Sequence, residues 1–93
     1  MVRKLRVVRA IVRPDRRDQY RERWAAYQQK IVELGARAWL FEDEVLPGRF
    51  IEFTEYTGGA DMETGIAQAM SAAGFATLCV RRDGEGERYR ESS

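Results

Sequence analysis

The chain has 93 residues and a formal net charge of +1, and this length accommodates one small domain and no second one. It contains no histidine, the commonest metal ligand and proton shuttle near neutral pH, which excludes imidazole-ligated zinc or haem and nucleophiles activated by histidine. The sequence has no run of about 18 apolar residues and no charged-then-apolar leader, so we expect a cytoplasmic protein without a membrane partner.

Basic and acidic residues are unevenly distributed along the chain. Residues 1–23 hold nine basic and three acidic residues, whereas residues 24–80 hold three and eight. We therefore expect ion pairs within the protein before any binding of phosphates. The single cysteine, Cys79, lies in an apolar run and is expected to be a buried, inert thiol.

Apolar residues follow the periods of strands and helices in the order strand, helix, strand, strand, helix, strand. The first helix carries an apolar stripe at steps of four, three, four and three, formed by Tyr20, Trp24, Tyr27, Ile31 and Leu34. Gly35 and Gly74 follow the two helices and are expected to terminate them. The predicted strands cover residues 2–13, 36–44, 49–56 and 75–82, and the predicted helices are capped by Asp15 and Asp61.

The second and third strands form a predicted hairpin around the turn at residues 45–48. A register in which paired residue numbers sum to 92 sets Trp39 opposite Phe53 and Arg37 opposite Glu55, and it also pairs Phe41 with Ile51. An odd sum would place aromatic residues against polar ones, so the even register is favoured, although a shift by two stays open.

This order predicts one α+β domain over residues 1–83. Rules of handedness and chain crossing favour a ferredoxin-like βαββαβ sandwich, a four-stranded antiparallel sheet with both helices on one face. Residues 84–93 are charged and contain glycine, so they form either a frayed tail or a short arm that orders on a partner.

Both faces of the predicted sheet are apolar, although two helices can cover only one of them. One face presents Leu5, Val7, Ile11, Trp39, Phe41, Ile51 and Phe53, and the other presents Val8, Ala10, Val12, Ala36, Ala38, Leu40, Phe50 and Tyr56. Solvent-facing antiparallel sheets normally carry polar residues on the wet side. We therefore predict a homodimer in which the helix-free faces of two copies pack together.

RNA-recognition domains share this strand order, but the chain lacks their signature. Their third strand follows the pattern K/R-G-F/Y-G/A-F-V-x-F/Y, and only its second half fits, at residues 50–53. The first strand contains no aromatic residue to stack a base, and Glu52 and Glu55 would repel a phosphate backbone. No nucleic-acid partner is expected.

The runs VVRAIVRP, LGARAWLF and PGRFIEFTEY resemble the dimeric α/β-barrel superfamily, and within it the antibiotic-biosynthesis-monooxygenase-like proteins, over about residues 5–80. The resemblance implies a homodimeric barrel with a ligand cleft between each sheet and its helices. The family's Glu-aromatic ending of the third strand is matched by Glu55 and Tyr56, but the histidine that follows it is absent. Haem degradation, which in similar proteins relies on asparagine and histidine, is therefore not expected. Cofactor-independent oxygenation stays open.

We predict two catalytic candidates. Arg9 lies mid-strand among apolar residues and needs a carboxylate, either Glu52 or Glu55 of the chain or one from a ligand. Tyr56 ends its strand beside a flexible loop and offers a hydroxyl that can orient or protonate a substrate. The ligand-binding candidates are Trp24, Trp39, Phe53, Glu55 and Met70, with core packing as the alternative for the aromatic residues. No metal and no cofactor is expected.

The leading prediction is a small homodimeric barrel protein that binds an apolar or aromatic small molecule, with cofactor-independent monooxygenation as the chemistry to test. The alternative is a non-catalytic ligand-binding or accessory protein of the same fold. A cleft of about 300 Å³ or more with Arg9 or Tyr56 inside would favour the first, and an interior filled by aromatic residues would favour the second.

Overall fold

A computed structural model describes residues 2–84 and 86–92 of the chain. The elements are β1 (Arg3–Val12), α1 (Arg17–Glu33), β2 (Arg37–Glu42), β3 (Arg49–Thr57), α2 (Ala60–Ala73), β4 (Cys79–Arg82) and β5 (Glu87–Arg90). Short 3-10 turns, Pro14–Arg16 and Phe75–Thr77, precede α1 and β4. No helix in the described ranges is long and apolar enough to cross a membrane.

The strands form one antiparallel sheet in the order β2-β3-β1-β4. Together with the two helices this is the predicted ferredoxin-like arrangement, so the α+β fold class is confirmed. Along β3 the even-numbered residues are buried and the odd-numbered residues are not. Even-numbered residues of β1, β2 and β3 thus form the helix-covered face of the sheet, and odd-numbered residues form its open face.

A fifth strand, β5, lies where the sequence predicted a frayed tail or an arm on a partner. It pairs with residues 4–7 of β1, whereas β4 pairs only with residues 10–12. Without β5 the first half of β1 would leave backbone groups unpaired on that edge. Gly86 permits the approach, because a Cβ there would lie 2.3 Å from the carbonyl oxygen of Val7. The tail therefore orders on its own chain.

The stripe of α1 is confirmed in four of its five positions. Tyr20, Trp24, Tyr27 and Ile31 are buried, whereas Leu34 lies beyond the last helical residue and is exposed. Asp15 does not cap α1, because Pro14 begins a separate 3-10 turn that contains Asp15 and delays the helix to Arg17. Gly35 terminates α1 as predicted, with φ at +87°.

The second helix ends at Gly74 as predicted, with φ at +65°. It begins earlier than predicted, because Gly59 occupies the cap position and Asp61 lies in the first turn, where its charge complements the helix dipole. Strand β4 is shorter than predicted, because Phe75 lies in a 3-10 turn that directs its ring into the core. There it packs against the three buried aromatic residues of α1 at centroid distances of 5.6–5.8 Å.

The predicted hairpin register is confirmed. Strands β2 and β3 pair Trp39 with Phe53 and Phe41 with Ile51. On the open face Trp39 is 39% exposed and Phe41 is 58% exposed, and the rings of Phe41 and Phe53 meet edge to face at 5.5 Å. The hairpin therefore presents an aromatic surface that no element of the described chain covers.

Candidate functional site

The seven residues predicted from the sequence lie on both faces of the sheet. Trp24, Tyr56 and Met70 are buried on the helix-covered side, whereas Arg9, Trp39, Phe53 and Glu55 lie on the open face. Consecutive residues of a strand point to opposite faces, so Glu55 and Tyr56 diverge although they are neighbours in sequence. One chain cannot bring all seven residues into one site.

Arg9 pairs with Glu87 of β5, and both side chains are exposed. The sequence predicted Glu52 or Glu55 as its carboxylate. Glu52 points to the other face of the sheet, and Glu55 lies 3.7 Å from Arg3. The difference arises from β5, which brings a carboxylate of the C-terminal segment beside the middle of β1.

A cavity of about 260 Å³ opens between α2 and the helix-covered face. Met70 and Phe75 give it apolar walls, and Arg6 and Arg82 bring two guanidinium groups to it. We call it the cleft cavity. It is smaller than the 300 Å³ that would favour a roomy active site, and it holds neither catalytic candidate of the sequence.

Aromatic side chains fill the rest of the interior. Tyr20 packs on Phe50 at a centroid distance of 4.9 Å, and Trp24 packs on Tyr27 at 5.0 Å. The hydroxyl groups of Tyr27 and Thr54 form a buried hydrogen bond of 2.7 Å. These contacts are core packing, which was the predicted alternative for the aromatic residues of the helix.

A buried carboxylate, Glu52, organises the wall of the cleft cavity. It is 1% exposed and accepts hydrogen bonds from the Tyr20 hydroxyl at 2.6 Å, from Arg82 Nη2 at 2.8 Å and from Arg82 Nε at 3.2 Å. The bidentate pair fixes the plane of the guanidinium, which also lies 5.0 Å from the centroid of the Phe75 ring. Arg82 thus reaches the cavity in one orientation, with N–H donors that Glu52 does not use.

Tyr20 and Arg82 each keep one protonation state near neutral pH. Burial, and then the charge of Glu52, raise the pKa of Tyr20 far above its usual range, so its hydroxyl stays protonated and donates. Burial opposes the charge of Arg82, but the hydrogen bond and charge of Glu52 prevail and raise its pKa. Burial also raises the pKa of the Cys79 thiol to about 11. Tyr20 and Arg82 therefore act as hydrogen-bond donors and not as bases.

Arg6 contributes a second donor group to the cleft cavity. Its Nη2 donates to the carbonyl oxygen of Gly84 at 3.2 Å, whereas its buried Nε has no hydrogen-bond partner among the described residues. A buried donor without an acceptor is costly, but this nitrogen is closed to solvent, so an acceptor in the cavity would reach it only after the Arg6 side chain moved. Within the described ranges no group of three histidine, cysteine or acidic residues could hold a metal ion.

The sequence matches no protein-family model and no curated protein. A protein from Nitrosomonas europaea, provisionally named an antibiotic biosynthesis monooxygenase, superposes with a TM-score of 0.76 at 12% identity, covering 98% of this chain and 89% of that one. A variant of SnoaB, a cofactor-independent oxygenase from Streptomyces nogalater, superposes at 0.68 with 12% identity, covering 98% and 92%. A conserved protein from Methanosarcina mazei reaches 0.76 with 10% identity, again covering 98% and 92%.

The chain has the antibiotic-biosynthesis-monooxygenase-like fold. The resemblance inferred from the sequence is confirmed at this level, and identities this low concern the fold alone. The fold accounts for the cleft between sheet and helices, but the residues that line it in this chain are its own. Sequence reasoning missed Arg6 and Arg82 as wall residues and assigned Glu52 no role in the cleft. The available signal was the even numbering of Glu52, which places a charge among buried positions of β3 and so demands a partner.

Proposed function

We propose that the protein binds a small apolar or aromatic molecule that carries an acidic group, in the cleft cavity. The observation that carries this proposal is the pairing of apolar walls, Met70 and Phe75, with the guanidinium groups of Arg6 and Arg82. Apolar walls with a few fixed polar groups are typical of small-molecule sites. A carboxylate or phenolate would accept from the N–H groups of Arg82 that Glu52 leaves free and would lie near the positive charge of Arg6.

In this proposal the protein is a homodimer whose two copies pack together through the open face. The exposed aromatic residues Trp39 and Phe41 support this, because contiguous apolar surface usually marks an interface and a two-fold axis buries the same surface on both copies. Light scattering of the purified chain should give twice the 10.8 kDa of one chain. Trp39→Glu should shift the mass toward the monomer, and a monomeric parent protein would refute the dimer.

Ligand binding can be tested by blocking the cleft cavity. Ala67 lines it from an exposed position of α2, so Ala67→Phe should fill the space without disturbing the core. Calorimetric titration with hydroxylated tricyclic aromatic acids should show binding to the parent and a loss of at least about tenfold in the variant. Ala25→Phe, at an exposed position of α1, is the matched control and should bind like the parent. Equal binding by all three proteins would refute the site.

Cofactor-independent oxygenation is the second candidate function, favoured by the fixed, buried guanidinium of Arg82 at the cavity wall. A cation there would stabilise the anion of an anthrone-type substrate, which supplies its own electrons to oxygen. The balanced reaction converts a ring CH₂ and O₂ to C=O and water. Oxygen uptake with anthrones should fall on Arg6→Gln and on Arg82→Lys. If the parent protein takes up no oxygen, the oxygenation is refuted and only the binding function remains proposed.

A further inference from the structure

The guanidinium group of Arg82 has one edge that its partner Glu52 leaves free, and this edge lies at the wall of the cleft cavity. We propose, on the basis of the binding function above, that the acidic group of the ligand is a single planar carboxylate. The cavity then selects a carboxylate over a phenol and over a phosphate monoester with the same apolar body. The selection follows from the hydrogen-bond geometry of Arg82 and from the net charge of the cavity wall.

The hydrogen bonds to Glu52 decide which donors of Arg82 stay free. A guanidinium group carries five N–H donors in one plane. Glu52 accepts from Nε at 3.2 Å and from Nη2 at 2.8 Å, so it occupies the edge that these two nitrogen atoms form. The second N–H of Nη2 and one N–H of Nη1 are parallel and form the next edge of the group. We call this pair of donors the free edge.

A ligand can reach the free edge without any movement of Arg82. Within residues 2–84 and 86–92, Nη1 of Arg82 donates to no group, and it is not closed to solvent as the Nε of Arg6 is. The side chain as a whole is 9% exposed, so its orientation is fixed while this donor stays accessible. Phe75 lines the same cavity, and its ring centroid lies 5.0 Å from the guanidinium carbon. An anion on Arg82 therefore has apolar surface close by.

Two parallel donors match the two oxygen atoms of a carboxylate. Carboxylates bind guanidinium groups through paired N–H···O bonds, as Glu52 does on the edge that it occupies. A phenol offers one oxygen atom, and because its pKa is about 10 it is uncharged near neutral pH. A carboxylic acid has a pKa of about 4 and is already ionised there. The free edge therefore favours the carboxylate in both shape and charge.

The net charge of the cavity wall favours an anion with one negative charge. Arg6 and Arg82 line the cavity, and Glu52 neutralises Arg82. Arg6 forms no salt bridge with any described residue, so its positive charge is left over, and one carboxylate would balance it. A phosphate monoester carries a charge of about −1.5 to −2 near pH 7. It would leave excess negative charge beside apolar walls, which is unfavourable.

The test is calorimetric titration of the full chain, near neutral pH, with naphthoate, naphthol and naphthyl phosphate, which share one ring system. The parent should bind naphthoate at least about tenfold more tightly than either of the other two. Naphthol or naphthyl phosphate bound as tightly as naphthoate would overturn the carboxylate preference and leave the binding function standing. Ala67→Phe, which fills the cavity, should abolish naphthoate binding. Unchanged binding in that variant, or no binding of naphthoate by the parent, would overturn the preference as well, whereas the tricyclic acids above test the binding function separately.

Arg82→Lys tests whether the free edge makes the selection. Lysine keeps the positive charge beside Glu52 but has no pair of parallel donors. The affinity for naphthoate should therefore fall at least about tenfold, while the affinity for naphthol, which depends on the apolar walls, should change less than about threefold. Retained naphthol binding shows that the cavity is intact, and circular dichroism checks the fold.

Arg13→Lys is the matched control, because it makes the same substitution at an exposed position outside the cavity. It should bind naphthoate like the parent. A preference for naphthoate that survives Arg82→Lys, or an equal loss of affinity in Arg13→Lys, would overturn the role of the free edge. If Arg82→Lys does not fold, the three ligands measured on the parent still decide whether a carboxylate is preferred.

Discussion

Replacing Glu52 by leucine should be among the most destabilising single substitutions in the protein. The carboxylate is 1% exposed and accepts hydrogen bonds from Tyr20 and Arg82. Leucine leaves the Arg82 side chain, which is 9% exposed, without its counter-ion and leaves the Tyr20 hydroxyl without its acceptor. Removing one partner of a buried ion pair costs roughly 3–5 kcal/mol, and an unsatisfied buried hydroxyl adds about 1–3 kcal/mol.

These costs are large for a chain of this size. Domains are stabilised by roughly 0.05–0.15 kcal/mol per residue, which for 93 residues amounts to about 5–14 kcal/mol. A loss near 4 kcal/mol would lower the melting temperature by about 15–30 °C. Urea titrations followed by circular dichroism measure the free energy of unfolding directly. All variants are compared at one protein concentration, because the proposed dimer would make stability concentration-dependent.

A double variant separates the ion pair from simple loss of packing. In Glu52→Leu/Arg82→Met no buried charge remains, so a substantial part of the lost stability should return. Glu91→Gln, in the exposed pair with Arg3, is the control and should stay within about 0.5 kcal/mol of the parent. The reasoning fails if the free energy of unfolding of Glu52→Leu lies within about 1 kcal/mol (roughly one pKa unit of interaction) of the parent value. It also fails if the double variant loses as much stability as the two single variants together.

At pH 8 the Cys79 thiol should react with iodoacetamide about a hundredfold more slowly than a free thiol, because burial raises its pKa to about 11. Mass spectrometry gives the rate of modification, and a rate equal to that of a free thiol would contradict this prediction. Burial raises the pKa of Tyr27 to about 12, so the unfolded chain releases this proton from about pH 10 while the folded chain keeps it. The free energy of unfolding should therefore fall as pH rises from about 10 to 12, by up to roughly 1.4 kcal/mol per pH unit, and a Tyr27→Phe variant that keeps the same slope in urea titrations would refute this. Gly48→Ala should cost roughly 1–3 kcal/mol, since φ is +87° and a Cβ would lie 2.6 Å from a backbone carbonyl oxygen. Gly65→Ala, within α2 and free of close contacts, should instead stabilise by about 0.5–1 kcal/mol in the same titrations.

Local chemistry made much of the fold predictable. The glycines that follow the helices predicted the positive φ angles found at Gly35 and Gly74. The parity of the hairpin followed from matching Trp39 with Phe53, because a one-residue slip would have moved every side chain to the wrong face. These features depend on residues close together in sequence or in one hairpin, where few arrangements compete.

Features that depend on the third dimension were not predictable in this way. The apolar run after Gly74 has the pattern of one strand. In the structure its first residues form a 3-10 turn instead, and this turn places the Phe75 ring in the core. The charged segment after Asp83 reads as a tail, yet it forms β5 because half of one edge of β1 is left unpaired by β4. In both places, contacts with other parts of the fold determine the secondary structure, and the local sequence pattern does not.

The Glu52–Arg82 pair shows why the candidate site itself lay beyond sequence reasoning. Parity alone could have shown that Glu52 is buried and needs a cation, but the chain has fourteen arginines from which to choose. The choice is made across β1, where Glu52 pairs with Val8 and Arg82 pairs with Ala10. Glu52 and Arg82 therefore lie on the two strands that flank β1, on the same face of the sheet, and the small side chain of Ala10 leaves space for the guanidinium to cross β1. Because the β1–β4 register shifts at residues 11 and 12, counting along the chain cannot select Arg82 over Arg81. The irregularity in that edge of the sheet therefore directs Arg82 to the cleft cavity and leaves its neighbour Arg81 on the open face.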